Sequence, residues 1–151
     1  MTHAMLLNQL AQLENPDGRI VLSAISRSRR LNGFASLVEG LSSGDKGRYV
    51  VNFWELSSWE SGSTWSRFQG SPNSVEAFSG CNELLRWESG KGTLSNSEGA
   101  RIQGHGAWGK RGILISMMRG LDCCVYAGHH YDKITSVIVA QDGAHLPALY
   151  A

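Results

Sequence analysis

Residues 104–140 read GHGAWGKRGILISMMRGLDCCVYAGHHYDKITSVIVA, and they carry the most regular apolar pattern in the chain. Three segments in this stretch are rich in apolar and β-branched residues and are separated by glycine or polar turns, which is typical of short strands. We predict strands over residues 112–117, 123–127 and 134–140, with residues 129–133 as a polar connector. The stretch therefore predicts a β-rich core.

Shorter signals extend this pattern towards the N-terminus. Residues 49–56 (YVVNFWEL), 65–69 and 83–88 predict three further strands, which are separated by loops rich in serine and glycine. Leucines spaced by four and three residues predict a short helix within residues 4–13. A proline near the start of residues 145–151 favours a second short helix there. The fold class is therefore α+β and mostly β, without the strand–helix alternation of a doubly wound sheet.

The length and composition are those of one globular domain with a short leading segment. The chain has 151 residues, of which 42% are hydrophobic and 18% are charged. We predict an N-terminal helix and linker over residues 1–30 and a β-rich domain over residues 31–151. Because residues 145–151 stop within a helical pattern that has an apolar face, we expect this domain to be truncated at its C-terminus.

Charge and cysteine usage restrict the class of function and the compartment. The net charge of +1 excludes nucleic-acid binding by bulk electrostatics, so any DNA contact has to come from local clusters of cations. No apolar run is long enough to span a bilayer, and no secretory signal is evident. The three cysteines include the adjacent pair Cys123 and Cys124, which are poorly placed to pair with each other. We therefore expect a cytoplasmic protein with reduced thiols.

Candidate metal ligands and nucleophiles are present, but their spacing is unfavourable. Adjacent residues on a strand point to opposite faces, so Cys123-Cys124 and His129-His130 each supply at most one ligand. Asp132 and His145 are the remaining candidate zinc ligands. Nucleophilic catalysis by a Cys–His pair is also possible in principle, but nothing in the sequence orients such a pair. We predict no metal site and no catalytic residue in this chain.

The last third of the chain carries short motifs in a defined order. The residues concerned are Ala107-Trp108-Gly109-Lys110, Gly112, Ser116, Met118, Leu121, Tyr126, Gly128, Tyr131-Asp132 and His145-Leu146-Pro147-Ala148. In this order and spacing they resemble the C-terminal region of large, restriction-linked DNA adenine methyltransferases, the type IIG-like or "N-6 DNA methylase" family. Cys123-Cys124 departs from the family pattern, where a proline and a small residue are usual.

The resemblance extends upstream and covers most of the chain. Residues 14–20 resemble the segment that follows the methyltransferase core. Residues 40–45, with Arg48-Tyr49 and Phe53-Trp54-Glu55, resemble the opening of the target recognition domain. A second departure is Lys133-Ile134-Thr135, where a pair of asparagines is usual.

The resemblance implies a compact β-rich target recognition domain with short peripheral helices. It implies a DNA sequence recognition module of an S-adenosylmethionine-dependent adenine methyltransferase, in a restriction-modification or phage-defence system. The partners would be double-stranded DNA and a methyltransferase catalytic domain, in cis or as a separate chain, with no membrane. The only Asn-Pro, Asn15-Pro16, is not followed by a second proline and an aromatic residue. The chain alone thus lacks the catalytic motif, and S-adenosylmethionine is expected only in the full-length protein.

For this function, residues on glycine-flanked turns are the candidates for contact with DNA. Cations on such turns approach the phosphate backbone closely, which selects Lys46, Arg48, Lys110 and Arg111. Polar side chains of types that pair with purine edges are the candidates for base readout. These are Asn73, Gln103, His105 and Arg119.

Two other classes of function remain open. The five tryptophans and the Ser/Gly-rich loops also suit a non-enzymatic β-rich module that binds glycan or protein ligands; tryptophans on an open face would favour it. A small cysteine- or metal-dependent enzyme is the third reading. Whether this chain has an enzymatic activity of its own is left open by its sequence.

Overall fold

The computed structural model describes residues 8–13, 15, 19–20, 31–60, 62, 64–74, 76–118 and 120–151. The chain separates into two units, residues 1–33 and residues 34–151. Helix α1 of the first unit covers Gln9–Gln12, and a 3-10 turn covers Leu31–Gly33. Asn8 caps α1, because its side chain accepts hydrogen bonds from the backbone amides of Leu10 and Ala11. The rest of the predicted helix, residues 4–7, lies outside the described residues.

The described part of the second unit is mostly β structure. Its strands are β1 (Ala35–Glu39), β2 (Val50–Asn52), β3 (Trp65–Gln69), β4 (Glu83–Arg86), β5 (Gly112–Ser116), β6 (Cys123–Tyr126), β7 (His130–Tyr131) and β8 (Thr135–Ala140). Helix α2 covers Lys46–Tyr49 and helix α3 covers Leu146–Tyr150. Short 3-10 turns cover Phe53–Glu55, Glu88–Gly90, Leu94–Asn96 and Gly143–His145. The α+β, mostly β fold class is therefore confirmed.

The strands form two four-stranded sheets. The first sheet has the order β1-β8-β5-β6, and every neighbouring pair in it is antiparallel. The second sheet has the order β2-β4-β3-β7, in which β7 runs parallel to β3. No helix in the described part of the chain is both long enough and apolar enough to cross a membrane.

Each sheet contributes to one hydrophobic cluster. The cluster at the first sheet contains Ala107, Leu114, Cys124, Tyr126, Tyr131, Val137 and Val139. The cluster at the second sheet contains Leu41, Tyr49, Val50, Phe68, Leu85 and Leu94. Trp108 packs against both clusters. The two sheets therefore share one continuous apolar interior, as expected for a domain of this size.

Residues 131–133, which we call the crossing segment, join the two sheets through backbone hydrogen bonds. The amide of Asp132 donates to the carbonyl of Gln69 at 3.1 Å, and the amide of Lys133 donates to the carbonyl of Leu41 at 2.8 Å. The side-chain amide of Gln69, which is fully buried, donates to the carbonyl of Val125 in β6 at 3.0 Å. These bonds satisfy buried polar groups and fix the position of β3 next to the first sheet.

Most of the predicted strands are confirmed. The strand at residues 65–69 has the predicted bounds. The strands predicted at residues 112–117 and 123–127 each end one residue earlier than predicted. The strand predicted over residues 134–140 begins at Thr135. The helix predicted within residues 145–151 is α3.

The prediction of a strand over residues 49–56 is wrong at both ends. Tyr49 closes helix α2, because the side chain of Asp45 accepts from the amide of Arg48 and caps that helix. Only Val50–Asn52 is a strand. The side chain of Glu55 then accepts from the amide of Asn52 at 3.0 Å, which stabilises a 3-10 turn. Local side-chain caps thus replace a strand that β propensity alone favours.

The prediction of a polar connector over residues 129–133 is also partly wrong, because His130 and Tyr131 form strand β7. This strand exists only through its parallel pairing with Phe68 and Gln69 of β3. Those partners lie more than sixty positions earlier in the sequence. A strand of this kind has no local signal, because parallel partners are brought together only by the tertiary fold.

Candidate nucleic-acid interface

Three backbone hydrogen bonds hold the turn that precedes β5. The amide of Ala107 donates to the carbonyl of Gly104, and the amide of Lys110 donates to the carbonyl of Ala107. The amide of Gly109 donates to the carbonyl of Gly128 at 3.0 Å. Gly104 and Gly109 both have a positive φ, which only glycine adopts without strain. These hydrogen bonds and glycines fix the shape of the turn, and Ala107 within it is fully buried.

Lys110 and Arg111 leave this turn with exposed side chains. Lys110 lines two adjoining depressions, of about 400 Å³ and about 330 Å³, which share Val139, Ala140 and Gln141 as their floor. Arg111 lines the larger one together with Leu146 of α3. We call this feature the basic groove. Its apolar floor and cationic rim suit an extended anionic ligand.

The two cations of the basic groove carry uncompensated charge. Within the described part of the chain, neither Lys110 nor Arg111 forms an ion pair or a side-chain hydrogen bond. A cation that has no protein partner remains available to a phosphate oxygen. These two predicted phosphate contacts are therefore adjacent and exposed, and neither has a partner among the described residues.

Lys46 is in a different situation, because it is part of an internal ion-pair network. Its ammonium nitrogen lies 2.8 Å from Oε1 of Glu83 and 3.6 Å from Oδ2 of Asp132. Both carboxylates are largely buried, with side-chain exposures of 18% and 15%. The main role of Lys46 in the structure is thus to neutralise two carboxylates where the crossing segment meets β4.

Replacing Lys46 by methionine should therefore lower the free energy of unfolding by about 1–2 kcal/mol, since two largely buried carboxylates lose their counter-charge. Chemical denaturation at neutral pH measures this change. Lys91→Met is the matched control, because Lys91 is exposed and has no ion pair among the described residues. Equal stability of the two variants would show that the network contributes nothing.

Arg48, the fourth predicted phosphate contact, lies beside the same region. Its guanidinium carbon is 5.2 Å from the centre of the Tyr49 ring, in a cation–π contact. Its side chain is exposed. Arg48 therefore keeps a solvent-facing charge, although on helix α2 and not on the turn that carries Lys110.

The predicted base-readout residues differ in their exposure and in the contacts that their side chains make. Gln103 donates from Nε2 to the carbonyl of Gly40 at 2.7 Å, so the NH₂ group of its side chain is used in a hydrogen bond within the protein. Asn73 accepts from the hydroxyl of Ser79 at 3.0 Å and closes its own loop. His105 is exposed and packs against Trp108, with ring centres 4.2 Å apart. Arg119 lies outside the described residues.

The structure brings only part of this set together. Gln103, His105, Lys110 and Arg111 lie in one segment that leads into β5. The loop of Asn73 lies at the other end of that strand, since Ser71 donates to the hydroxyl of Ser116 at 2.8 Å. Four residue steps of β5 separate the two ends by about 13 Å.

An aromatic cluster that sequence reasoning missed surrounds His130. The His130 ring lies 4.5 Å from that of Trp87 and 4.4 Å from that of Trp108, and these two tryptophans contact each other edge to face. The hydroxyl of Ser66 lies 2.9 Å from Nδ1 of His130. Burial, to which the neighbouring histidines His129 and His105 add, lowers the pKa of His130 to about 4. The ring is therefore neutral at pH 7.

This hydroxyl–imidazole pair resembles a nucleophile and its base, but it lacks a third group. No carboxylate among the described residues orients the ring of His130. Burial, with a smaller effect of the Cys81 thiol, raises the pKa of Cys124 to about 11, which makes that thiol a poor nucleophile. No group of three His, Cys, Asp or Glu side chains in the described part of the chain is arranged to hold a metal ion.

The five tryptophans divide between interior and surface. Trp108 packs against both hydrophobic clusters and Trp87 against that of the second sheet, whereas Trp54 is 61% exposed. The sequence offered no signal to separate them, because burial of a single tryptophan depends on the packing of distant strands.

No protein-family model matches this chain, and the comparison with curated proteins also finds no match.

Proposed function

We propose that this chain is the DNA target recognition module of an S-adenosylmethionine-dependent, adenine-specific DNA methyltransferase in a restriction-modification or phage-defence system. The proposal rests on the resemblance of the motifs between Ala107 and Ala148. One geometric observation carries it furthest: Lys110 and Arg111 are neighbouring, exposed and unpaired within the described residues, on a turn held by glycines. In this reading the catalytic domain belongs to another part of the protein or to a separate chain.

The basic groove supplies phosphate contacts without a strongly basic chain. Two fixed cations next to an apolar floor position a DNA backbone, whereas sequence is read by other side chains nearby. His105 is the best placed of these, because it is exposed on the same segment as Lys110. Gln103 keeps its side-chain oxygen as an acceptor for a base amino group.

Asn73 gives a second contact at a distance that suits a duplex. The two ends of β5 lie about 13 Å apart, which corresponds to about four base-pair steps of B-form DNA. Contacts at both ends of one strand would thus span a short recognition site along the DNA.

The basic groove does not suit S-adenosylmethionine. The methyl donor is a sulfonium cation, and the rim of the groove is formed by the cations Lys110 and Arg111. Among the described residues, no carboxylate lines the groove to bind the ribose hydroxyls. We therefore assign donor binding to the catalytic domain and no reaction step to this chain.

The double substitution Lys110→Ala/Arg111→Ala tests the proposal. We expect the isolated chain to bind short duplexes of randomised sequence, and the variant to lose about tenfold in affinity at low salt. The slope of log affinity against log salt should fall by about 2, since each phosphate contact contributes about 0.9. Fluorescence anisotropy between about 50 and 200 mM salt measures both quantities.

Lys91→Ala is the control for that experiment, because it removes an exposed cation outside the basic groove. Repeated selection from the randomised pool should also enrich a defined sequence, which phosphate contacts alone cannot do. An affinity that does not depend on salt, or a double variant with unchanged affinity and unchanged slope, would contradict the proposal.

The alternative is a non-enzymatic module that binds glycan or protein ligands. The exposed aromatic residues Phe53 and Trp54, whose ring centres lie 5.0 Å apart, favour it. Neutral ligands gain nothing from the free charges of Lys110 and Arg111, so binding that is insensitive to salt and to the double substitution would select this alternative.

A further inference from the structure

A second depression lies on the outer face of the second sheet, away from its hydrophobic cluster. Its floor is Leu84 of β4, and its walls include Phe53, Trp59 and Cys81, around a volume of about 220 Å³. Arg67 of β3 pairs in register with Leu84 and so lies on the same face. We call this feature the stacking pocket.

Among the described residues, Arg67 and Glu83 are the charged side chains that line the stacking pocket, and Oε1 of Glu83 already lies 2.8 Å from the ammonium nitrogen of Lys46. The guanidinium carbon of Arg67 lies 5.4 Å from the centre of the Trp59 ring, within the range of a cation–π contact. Arg67 is exposed, and within the described part of the chain it forms no ion pair with a carboxylate. An indole wall with an uncompensated guanidinium beside it is the arrangement that binds a flat base next to a phosphate.

The stacking pocket is connected to the basic groove through two residues. Phe68, the residue after Arg67, pairs in parallel with His130, the residue after His129, and this pairing brings Arg67 close to His129. His129 follows Gly128, whose carbonyl accepts from Gly109, the residue before Lys110. A line of cations and polar groups therefore runs from Lys110 past Gly128 and His129 to Arg67 and Trp59.

From this connection we infer that the stacking pocket holds one unpaired base of a DNA strand whose backbone lies along Lys110 and Arg111. The inference rests on the proposed DNA-binding function. Charge selects this occupant, because a neutral sugar would stack on Trp59 but would not use Arg67 or the cations of the basic groove. The size agrees, since a volume of about 220 Å³ is large enough for a single base.

The test compares two duplexes of the same randomised sequence, one fully paired and one with a single thymidine bulge. The intact chain should bind the bulged duplex about tenfold more tightly, as expected for one aromatic–base stack. Trp59→Ala should remove this gain and leave the affinity for the paired duplex unchanged. Arg67→Ala should reduce the gain in the same way.

Two further variants separate stacking from folding. Trp54→Ala removes an exposed tryptophan that does not line the stacking pocket, so the gain should persist. Trp59→Phe keeps an aromatic wall and should retain most of the gain even if Trp59→Ala is destabilised. Thermal melting of each variant checks that it is folded.

Each outcome decides between the two proposals. Equal affinity of the intact chain for both duplexes, or a gain that survives Trp59→Ala, overturns the stacking pocket while the basic groove stands. Binding of neither duplex overturns both. Loss of paired-duplex affinity in Lys110→Ala/Arg111→Ala, together with loss of only the bulge gain in Trp59→Ala, supports both.

Discussion

Replacing Gly40 by alanine is expected to lower the free energy of unfolding by about 3 kcal/mol or more. A Cβ atom at this position would lie 2.3 Å from the carbonyl oxygen of Asp132 and 2.6 Å from that of Tyr131. Both are backbone atoms, so no side-chain rotation relieves the clash. The crossing segment would have to move away from β1, and it is the segment that joins the two sheets.

Chemical denaturation followed by circular dichroism measures the effect of Gly40→Ala. Gly143→Ala is the matched control, because a Cβ at Gly143 meets no atom within 4 Å, and we expect it to change stability by less than about 0.5 kcal/mol. If Gly40→Ala is as stable as Gly143→Ala, the close packing of the crossing segment against β1 is not a determinant of stability.

Acidification from about pH 7.5 to about pH 5 should destabilise the protein by about 1–2 kcal/mol through His130 alone. Its pKa is lowered from 6.5 to about 4 in the folded state, first by burial and then by His129 and His105. In the window between these two values the unfolded chain binds a proton that the folded chain does not bind. Stability is therefore complete above pH 6.5, falls as the pH drops, and changes little more through this group below about pH 4.

Unfolding free energies measured across this pH range test the prediction. His130→Gln should flatten most of the dependence, because the variant has no group at this position that titrates in the window. His105→Gln, which alters the exposed ring in the same aromatic cluster, should retain most of it, because His105 is the smallest of the three causes that lower the pKa of His130. A pH profile of His130→Gln that matches the intact chain would assign the dependence to other groups. Burial and the charge of Arg67 also lower the pKa of His129, so a residual slope of the same sign is expected.

These two effects have a common origin in the way the crossing segment is packed. Gly40 allows β1 to approach Asp132, and His130 at the start of the same region is enclosed by Trp87 and Trp108. Lys46 neutralises Asp132 from helix α2. Tyr131 and Asp132 are also among the positions that carry the resemblance to DNA adenine methyltransferases. In the proposed module these positions would hold the two sheets together without contacting DNA.

The candidate site was only partly predictable. Lys110 and Arg111 could be selected from sequence, because glycines on both sides of two cations indicate an exposed turn. Lys46 has a similar glycine-flanked context in sequence, yet it pairs with Glu83 and Asp132, which are distant along the chain. No local pattern distinguishes a free cation from a paired one, because the partners are chosen by the tertiary fold.

The sequence by itself determined the β-rich class, the strand at residues 65–69, the central strands of the first sheet and the short C-terminal helix. These features depend on alternation of apolar residues and on glycine or proline at the ends of segments, which act over a few residues. It also determined that Cys123 and Cys124 point to opposite faces of a strand, because neighbouring residues on a strand alternate between its two faces. In the structure Cys123 is exposed and Cys124 is buried.

The tertiary structure alone decided β7, the aromatic cluster around His130 and the stacking pocket. Each of these needs groups that meet from distant parts of the chain: Phe68 beside His130, Trp87 against Trp108, and Trp59 over Arg67. It also decided which cations are free, because an ion pair forms only where the packing of strands brings a carboxylate within reach. Local patterns thus specify the elements, whereas long-range packing specifies the surfaces that they present.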